Sequence, residues 1–307
     1  MAVTLRHLRY LVALAETGGF GAAARAVHVT QPALSQQIAE LERLLGVRLV
    51  DRLPRGSRLT RAGEAVLRRA RGVLAGIADL EALAREADGL SGRILLGMIP
   101  TVAPYLLPDL LERLAAHPIE LRLREAQTAD LLQAVEAGAL DAAVVASPVR
   151  GPLAALPLGE DRFVLAAPPG RLAALQAERL RPSAIAGEPL LLLDEGHCLA
   201  DQALEVCGLR SRPPADLGAS SLGTLCGLVA GGYGLTLLPE IAVPTEARAG
   251  LCLARFAAPE PARTLCLAVR DGAGRWAADL ATRLTEALEA RRSRARAQIA
   301  EATSQAV

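Results

Sequence analysis

The chain opens with apolar residues that recur at helical spacing. The pattern predicts three short helices, at about 5–16, 20–26 and 30–45. Thr30 is a suitable N-cap for the third, and Gly46 is a suitable end. Small alanines dominate the second helix, which lets a neighbouring helix approach closely. Two helices joined by a tight turn at residues 27–29 form a predicted helix-turn-helix.

The third helix has two distinct faces. One side carries the residues expected to face the core, namely Leu34, Ile38, Leu41 and Leu45. The opposite side, near the start of the helix, is short and polar with few acids. Gln36 there can bond adenine through two hydrogen bonds, and Ser35 can bond a base edge or a phosphate. This face therefore has the chemistry of a DNA-reading surface.

A strand–turn–strand pattern follows at residues 48–60, with Pro54 and Gly56 in the turn. It carries four arginines, Arg48, Arg52, Arg55 and Arg58, and predicts a wing whose guanidinium groups meet phosphates. A solvated basic loop on an ordinary helical domain is the alternative. The residues predicted to contact DNA are Thr30, Gln31, Pro32, Ala33, Ser35, Gln36, Arg52 and Arg55.

A long helix is predicted from Thr60 to about Ala87, before a glycine-containing break at residues 88–92. Its apolar positions alternate by four and three residues for about three heptads, as in a coiled coil. We expect it to form a dimer. A helix packed on its own chain would show the same pattern.

The remainder alternates strands and helices. Strands are predicted at 93–99, 119–124 and 142–146, with helices at 103–115 and 128–137 between them, so the sheet is expected to be parallel. A second set follows, with strands at 163–167, 190–193 and 235–238 and a helix from Ser221. A strand at 265–269 and a helix at 275–292 are expected to return to the first set. The predicted class is α/β, with two lobes around a cleft.

Charge and composition narrow the function. Residues 1–60 carry eight arginines and four acids, while residues 91–307 carry 21 arginines and 24 acids. A basic head on a slightly acidic body favours a nucleic-acid module joined to another domain. No apolar run is long enough to span a membrane, and Arg6 and Arg9 interrupt the stretch that a signal peptide would need, so a cytoplasmic protein is expected. No metal-ligand spacing and no cofactor motif is found. The basic C-terminal segment 291–296 is expected to be a solvated helix end.

Two cysteines bound a helical pattern. Cys198 follows His197 at a predicted helix N-terminus, where the helix dipole and a nearby cation lower a thiol pKa. Cys207 follows nine residues later. These features favour a reactive thiol, although two small buried residues remain the alternative. Cys266 lies in an apolar strand pattern and is expected in the core.

The motifs resemble a known family. Residues 20–49 and 59–63 resemble the N-terminal signature of LysR-type transcriptional regulators. Residues 195–207 resemble the redox segment of the hydrogen-peroxide-sensing OxyR group, and residues 97–108 and 125–128 are also similar to that group.

The resemblance implies a fold, a site and partners. The fold would be a winged helix-turn-helix (1–60), a linker and dimerisation helix (61–88) and a two-lobed, periplasmic-binding-protein-like sensing domain (89–307). Cys198 would be the peroxidatic cysteine and Cys207 the resolving one. The implied peroxide pocket consists of Thr101, Thr128, His197, Asp201 and Arg270.

The implied partners are double-stranded DNA, hydrogen peroxide, RNA polymerase, a cellular thiol reductant and further copies of the chain, as homodimer or homotetramer. The expected function is a peroxide-responsive activator, not an enzyme. Two alternatives stay open: a LysR-type regulator that binds a metabolite in the cleft, and a thiol peroxidase.

Overall fold

The computed structural model describes residues 2–53, 56–83, 90–175, 180–185, 187–194, 198–206, 219–247 and 249–305. The chain forms two compact units: residues 1–87 with 136–139, and residues 88–135 with 140–307. Arg55, His197 and Cys207, three of the predicted site residues, lie outside the described residues, as do the end of the predicted linker helix and the first two residues of the predicted break.

The first unit is a three-helix core with a β-hairpin and a long helix. Its elements are α1 (Leu5–Thr17), α2 (Phe20–Ala26), α3 (Gln31–Leu45), β1 (Val50–Leu53), β2 (Gly56–Leu59) and α4 (Arg61–Leu83). The predicted helices and wing are therefore confirmed. The two hairpin strands are antiparallel, and Asp51 pairs with Arg58.

Local signals define these helices. The Thr30 hydroxyl accepts a hydrogen bond from the Ala33 N–H at the start of α3, and Gly46 ends α3 in a left-handed conformation. Leu34, Ile38 and Leu41 are buried as expected. The prediction for Leu45 is wrong, because its side chain is 40% exposed. Leu45 is the last residue of α3, where the chain turns away from the core.

The second unit contains a seven-stranded mixed sheet and most of the helices. Its strands are β3 (Gly92–Met98), β4 (Ile119–Glu125), β5 (Ala142–Val145), β6 (Leu153–Ala167), β7 (Thr236–Pro239), β8 (Cys252–Arg255) and β9 (Ala262–Arg270). Its helices are α5 (Ala103–Leu114), α6 (Thr128–Glu136), α7 (Arg171–Ala174), α8 (Cys198–Val206), α9 (Leu222–Ala230), α10 (Val243–Glu246) and α11 (Arg275–Gln305). Short 3-10 helices occupy Pro182–Ile185 and Glu240–Ala242.

The sheet order is β4-β3-β5-β9-β6-β7, with β8 paired to β6. The predicted parallel pairing is confirmed for β3 with both β4 and β5. The pairings of β5, β6, β7 and β8 with their further neighbours are antiparallel. Strands β6 and β9 run side by side and join the two halves of the sheet, so the predicted return of the chain to the first half is confirmed.

Two strand predictions need correction. The strand predicted at 163–167 is the end of β6, which begins at Leu153 and contains a register shift between Pro157 and Gly159. Such a bulge accommodates proline and glycine within a strand, although in the sequence these residues suggest that a strand ends. The strand predicted at 190–193 is wrong, because that segment forms only isolated bridges, Leu190 with Leu235 and Leu193 with Ala219.

The C-terminal helix also differs from expectation. It extends to Gln305 rather than 292, and its arginines are not a solvated tail. Glu240, which is fully buried, forms ion pairs with Arg255, Arg292 and Arg296. Arg294 is ion-paired to the buried Asp109. Buried carboxylates on distant segments therefore hold this end of α11 against the rest of the second unit. No helix in the described parts of the chain is long and apolar enough to cross a membrane.

Candidate functional site

The start of α3 presents the predicted DNA-reading residues. Gln31, Pro32, Ala33 and Gln36 are exposed, while Ser35 is half-buried. Because Thr30 caps the helix, the first turn is fixed with these side chains outward. The polar surface predicted from the sequence is therefore present in the first unit.

Arg52 links the wing to this surface. Its Nη2 atom donates a hydrogen bond of 2.7 Å to the hydroxyl of Ser35, and its guanidinium lies 4.9 Å from the centre of the Phe20 ring. Glu42 holds the base of the hairpin, because its Oε1 atom accepts from the N–H groups of Leu49 and Val50. The wing strand β1 is thus attached to both helices of the helix-turn-helix.

In the second unit, α8 begins at Cys198. The Cys198 thiol is free and half-buried against the apolar core. Leu199, Ala200 and Ala203 anchor the helix through buried side chains. The predicted helix is confirmed over Cys198–Val206.

Three chain segments bring predicted site residues to one edge of the sheet. Strand β3 pairs in parallel with β4, with Met98 opposite Glu125. Thr101 and Thr128 each follow three residues after that pair, so both lie beyond the carboxyl ends of these strands. The side chain of Gln202 in α8 donates a 2.6 Å hydrogen bond to the carbonyl of Ala146, just beyond β5. Since β4 and β5 flank β3, this edge is a topological switch point, where α/β sheets bind ligands.

Thr128 has an unsatisfied hydroxyl at this edge. It is the first residue of α6, and its Oγ1 atom is buried with no hydrogen-bond partner among the described residues. A buried hydroxyl without a partner is unfavourable and rare in native proteins. A small polar ligand bound at this edge would satisfy it.

Thr101 has a partner that the sequence did not predict. Arg263 of β9 donates from Nη1 to the Thr101 hydroxyl over 2.8 Å and from Nη2 to the Thr101 carbonyl over 3.0 Å. Its Nε atom also bonds Asp161 of β6 over 2.9 Å. Burial raises the pKa of Asp161, and the guanidinium of Arg263 acts in the opposite direction.

The structure therefore places Arg263, rather than the predicted Arg270, beside Thr101. Arg270 donates to the carbonyl oxygen of Val135, near the end of α6, and to that of Leu140, which follows the helix. The sequence contained a signal for Arg263. It lies two residues before Leu265 and four before Leu267, and alternate residues of a strand share one face. Asp201, another predicted pocket residue, is exposed in the first turn of α8.

A cleft of about 730 Å³ lies between α8 and β9. Helix α8 contributes Gln202 and Glu205 to its wall, and β9 contributes Arg263, Thr264 and Cys266. Cys198 lies one turn before Gln202, on the same face of α8. Burial raises the pKa of the Cys266 thiol, as suits the predicted core position.

Comparison with known proteins identifies the family. Residues 5–64 match the family described as "Bacterial regulatory helix-turn-helix protein, lysR family", and residues 87–291 match "LysR substrate binding domain". The chain belongs to the LysR family. The LysR resemblance and the fold class expected from the sequence are thereby confirmed, and LysR proteins are transcription regulators rather than an enzyme class.

The relatives place this LysR protein in the OxyR group. A Mycobacterium leprae protein named "Probable hydrogen peroxide-inducible genes activator" is 46% identical over 281 residues, with 89% of each chain covered. The Escherichia coli K12 protein named "DNA-binding transcriptional dual regulator OxyR" is 40% identical over 276 residues, covering 88% of this chain and 90% of that one.

Solved OxyR structures share the fold. A full-length OxyR variant from Pseudomonas aeruginosa matches with a TM-score of 0.76 and 32% identity, covering 93% of this chain and 97% of that one. A hydrogen-peroxide-bound OxyR mutant from Corynebacterium glutamicum matches with a TM-score of 0.65 and 34% identity, covering 97% and 98%. This LysR chain is thus similar to OxyR proteins over nearly its whole length.

Proposed function

We propose that this protein is a DNA-binding transcriptional activator that hydrogen peroxide switches through a disulfide between Cys198 and Cys207. The observation that carries the proposal is the unsatisfied Thr128 hydroxyl at the sheet edge that also holds Thr101 and α8. A peroxide molecule is small and polar, and its oxygens both donate and accept hydrogen bonds. It fits the chemistry of this edge.

The reaction has two steps. The Cys198 thiolate attacks one peroxide oxygen, the O–O bond breaks, and hydroxide leaves while Cys198 becomes a sulfenic acid. The Cys207 thiolate then attacks the Cys198 sulfur and displaces hydroxide, which forms the disulfide. Each released hydroxide takes up a proton to become water. A cellular thiol reductant resets the pair.

The pocket roles follow from residue chemistry. Thr101 and Thr128 orient the two oxygens, while His197 stabilises developing negative charge and Asp201 anchors the surrounding water. Arg263 supplies the buried cation, since it contacts Thr101 directly. Arg270 acts through α6, because it holds the end of the helix that begins at Thr128.

The DNA-binding part works as an assembly. Thr30, Gln31, Pro32, Ala33, Ser35, Gln36, Arg52 and Arg55 contact double-stranded DNA. The long helix α4 pairs two chains, which is supported by its exposed apolar residues, Val73 at 50% and Leu80 at 65%. The protein acts in the cytoplasm as a homotetramer built from such dimers and contacts RNA polymerase at its promoters. The functional division is 1–60, 61–88 and 89–307.

A metabolite-binding LysR regulator is the second candidate. The cleft of about 730 Å³ favours it, because most of its lining is apolar and a small organic ligand would fit. In that case the two cysteines would have no part in switching.

The test is to treat the reduced full-length protein with stoichiometric hydrogen peroxide and map its disulfides by mass spectrometry. We expect one bond, between Cys198 and Cys207, and a change in operator binding that Cys198→Ser abolishes. Cys226→Ser is the matched control, because Cys226 is fully buried in α9 and should have no role. A wild-type protein that forms no such bond would refute the sensor.

Continuous peroxide consumption with a thiol reductant would instead indicate a thiol peroxidase. Switching of operator binding by a metabolite, with both cysteines replaced, would support the second candidate.

A further inference from the structure

Two opposite charges lie fully buried beneath the proposed peroxide pocket. Asp161 of β6 and Arg263 of β9 are direct cross-strand partners in the antiparallel pair. Neither side chain is exposed, and the Arg263 Nη2 atom lies 2.9 Å from Asp161 Oδ2. A buried ion pair is weak evidence for stability, so its presence here calls for another reason.

We propose that Asp161 is a positioning residue for the reaction of Cys198 with peroxide, because it orients Arg263 and, through Arg263, the Thr101 hydroxyl. The inference rests on the proposed function, since it concerns the same pocket. Asp161 itself touches neither the thiol nor the peroxide in this scheme.

The carboxylate of Asp161 is held from two sides. Its Oδ1 atom accepts a 3.1 Å hydrogen bond from the N–H of Ile241, and its Oδ2 atom faces Nε and Nη2 of Arg263. The Ile241 bond stops the carboxylate from rotating. The guanidinium is planar, so fixing its Nε and Nη2 edge also fixes the direction of Nη1.

The direction of Nη1 determines which hydrogen bonds the Thr101 hydroxyl can form. A guanidinium only donates hydrogen bonds, so the Thr101 hydroxyl must accept from Nη1. Its own O–H then points elsewhere as a donor. The guanidinium has five N–H groups, and its four contacts to Asp161 and Thr101 do not use the second N–H of Nη1. The pocket therefore offers donors where the departing peroxide oxygen gains negative charge, and such prearranged donors accelerate a reaction.

An uncharged replacement cannot keep this arrangement. In Asp161→Asn the amide oxygen can accept from Arg263, but the amide nitrogen would then face the Ile241 N–H, donor against donor. The guanidinium would also remain buried without a counter-charge. We therefore expect Arg263 to turn away and the Thr101 hydroxyl to lose its fixed orientation.

The test compares two reagents on reduced full-length protein. Stopped-flow kinetics give the rate of Cys198 oxidation by hydrogen peroxide, and alkylation by iodoacetamide reports thiol access and thiolate fraction without needing the peroxide pocket. We expect Asp161→Asn to slow the peroxide reaction by about tenfold or more while alkylation changes little. Asp161→Glu, which keeps the carboxylate, should recover most of the peroxide rate.

The control separates positioning from folding. Asp109 is also buried and bonded to an arginine, Arg294, but lies on α5 away from these contacts. Asp109→Asn should lower the melting temperature without changing the ratio of the two rates. A double-mutant cycle shows whether Asp161 acts through Arg263: Asp161→Asn should not slow an Arg263→Gln protein further.

Three outcomes would overturn the inference: an unchanged peroxide rate in Asp161→Asn, an equal loss in both reactions, or a further full loss when Asp161→Asn is added to Arg263→Gln. If Asp161→Asn alone does not fold, the comparison of Arg263→Gln with the double variant decides, because neither leaves an unpaired guanidinium. Wild-type protein that reacts rapidly at Cys198 supports the proposed function whichever way the variants behave, so the two failures are distinguishable.

Discussion

Formation of the Cys198–Cys207 disulfide must unwind α8. Cys198 is the first residue of this helix, and Cys207 directly follows its last described residue, Val206. The eight steps from Cys198 to Val206 rise about 12 Å, at roughly 1.5 Å each, and the next Cα atom can lie at most about 3.8 Å closer. A disulfide needs Cα atoms roughly 4.4–6.8 Å apart. No side-chain rotation bridges that gap, so the helix and the disulfide exclude each other.

The free energy of the switch can be shifted at Leu199. Its side chain is buried in the reduced structure, and unwinding would remove it from that site. Leu199→Ala should therefore destabilise the reduced form by about 2 kcal/mol or more and the oxidised form much less. Because 1.4 kcal/mol corresponds to about 30 mV for a two-electron couple, the midpoint potential should fall by about 40 mV. The potential falls because a less stable reduced form makes reduction of the disulfide less favourable.

The assay equilibrates the protein with dithiothreitol or glutathione buffers of graded potential and counts free thiols by mass spectrometry. Leu284→Ala is the matched control, because Leu284 is fully buried in α11, away from the thiols. It should lower the melting temperature and leave the potential unchanged. If Leu199→Ala also lowers only the melting temperature, Leu199 keeps its site in both forms, and the unwinding mechanism is refuted.

Four further predictions concern single residues. Gln36→Ala should weaken operator binding by about 1–3 kcal/mol and relax specificity at one position, as fluorescence anisotropy at fixed salt would show; loss of non-specific binding alone would contradict it. Arg52→Ala should weaken binding to all sequences and flatten the salt dependence; an unchanged salt slope would exclude a phosphate contact. Thr128→Val should slow peroxide oxidation by about tenfold without lowering the melting temperature, because its hydroxyl has no partner to lose; the reverse result would make Thr128 structural. Burial raises the pKa of the Cys266 thiol, so it stays protonated at neutral pH and should be alkylated only as the pH rises; rapid labelling at neutral pH, measured by peptide mass spectrometry, would disprove this.

The helix-turn-helix could be predicted because its signals are local. The cap at Thr30, the left-handed glycine at Gly46 and the apolar spacing within α3 each act over a few residues. The paired strands β3 and β4 were equally clear, since β3 is a short apolar segment, β4 alternates apolar and charged residues, and each is followed by a helix. Elements of this kind can be recognised from their own residues alone.

Elements that depend on distant partners could not be predicted in the same way. The start of β6 contains proline, glycine and charges, and it becomes a strand only because β9 lies beside it. The buried Glu240 cannot be recognised without knowing that α11 brings Arg292 and Arg296 to it. Arg263 and Arg270 are two arginines of one strand, and only the folded contacts distinguish their roles.

The attachment of Arg52 to Ser35 and Phe20 changes how DNA recognition should be considered thermodynamically. A free arginine loses about 0.5–1.5 kcal/mol of side-chain freedom when a ligand immobilises it. Arg52 is already ordered by α2 and α3, so much of that entropy is lost on folding rather than on binding. In the proposed DNA complex, the wing and α3 would then meet the duplex with a separation that Arg52 already restricts. Operators in which the groove contacts are spaced differently would have to deform, because the protein has little freedom left to adjust.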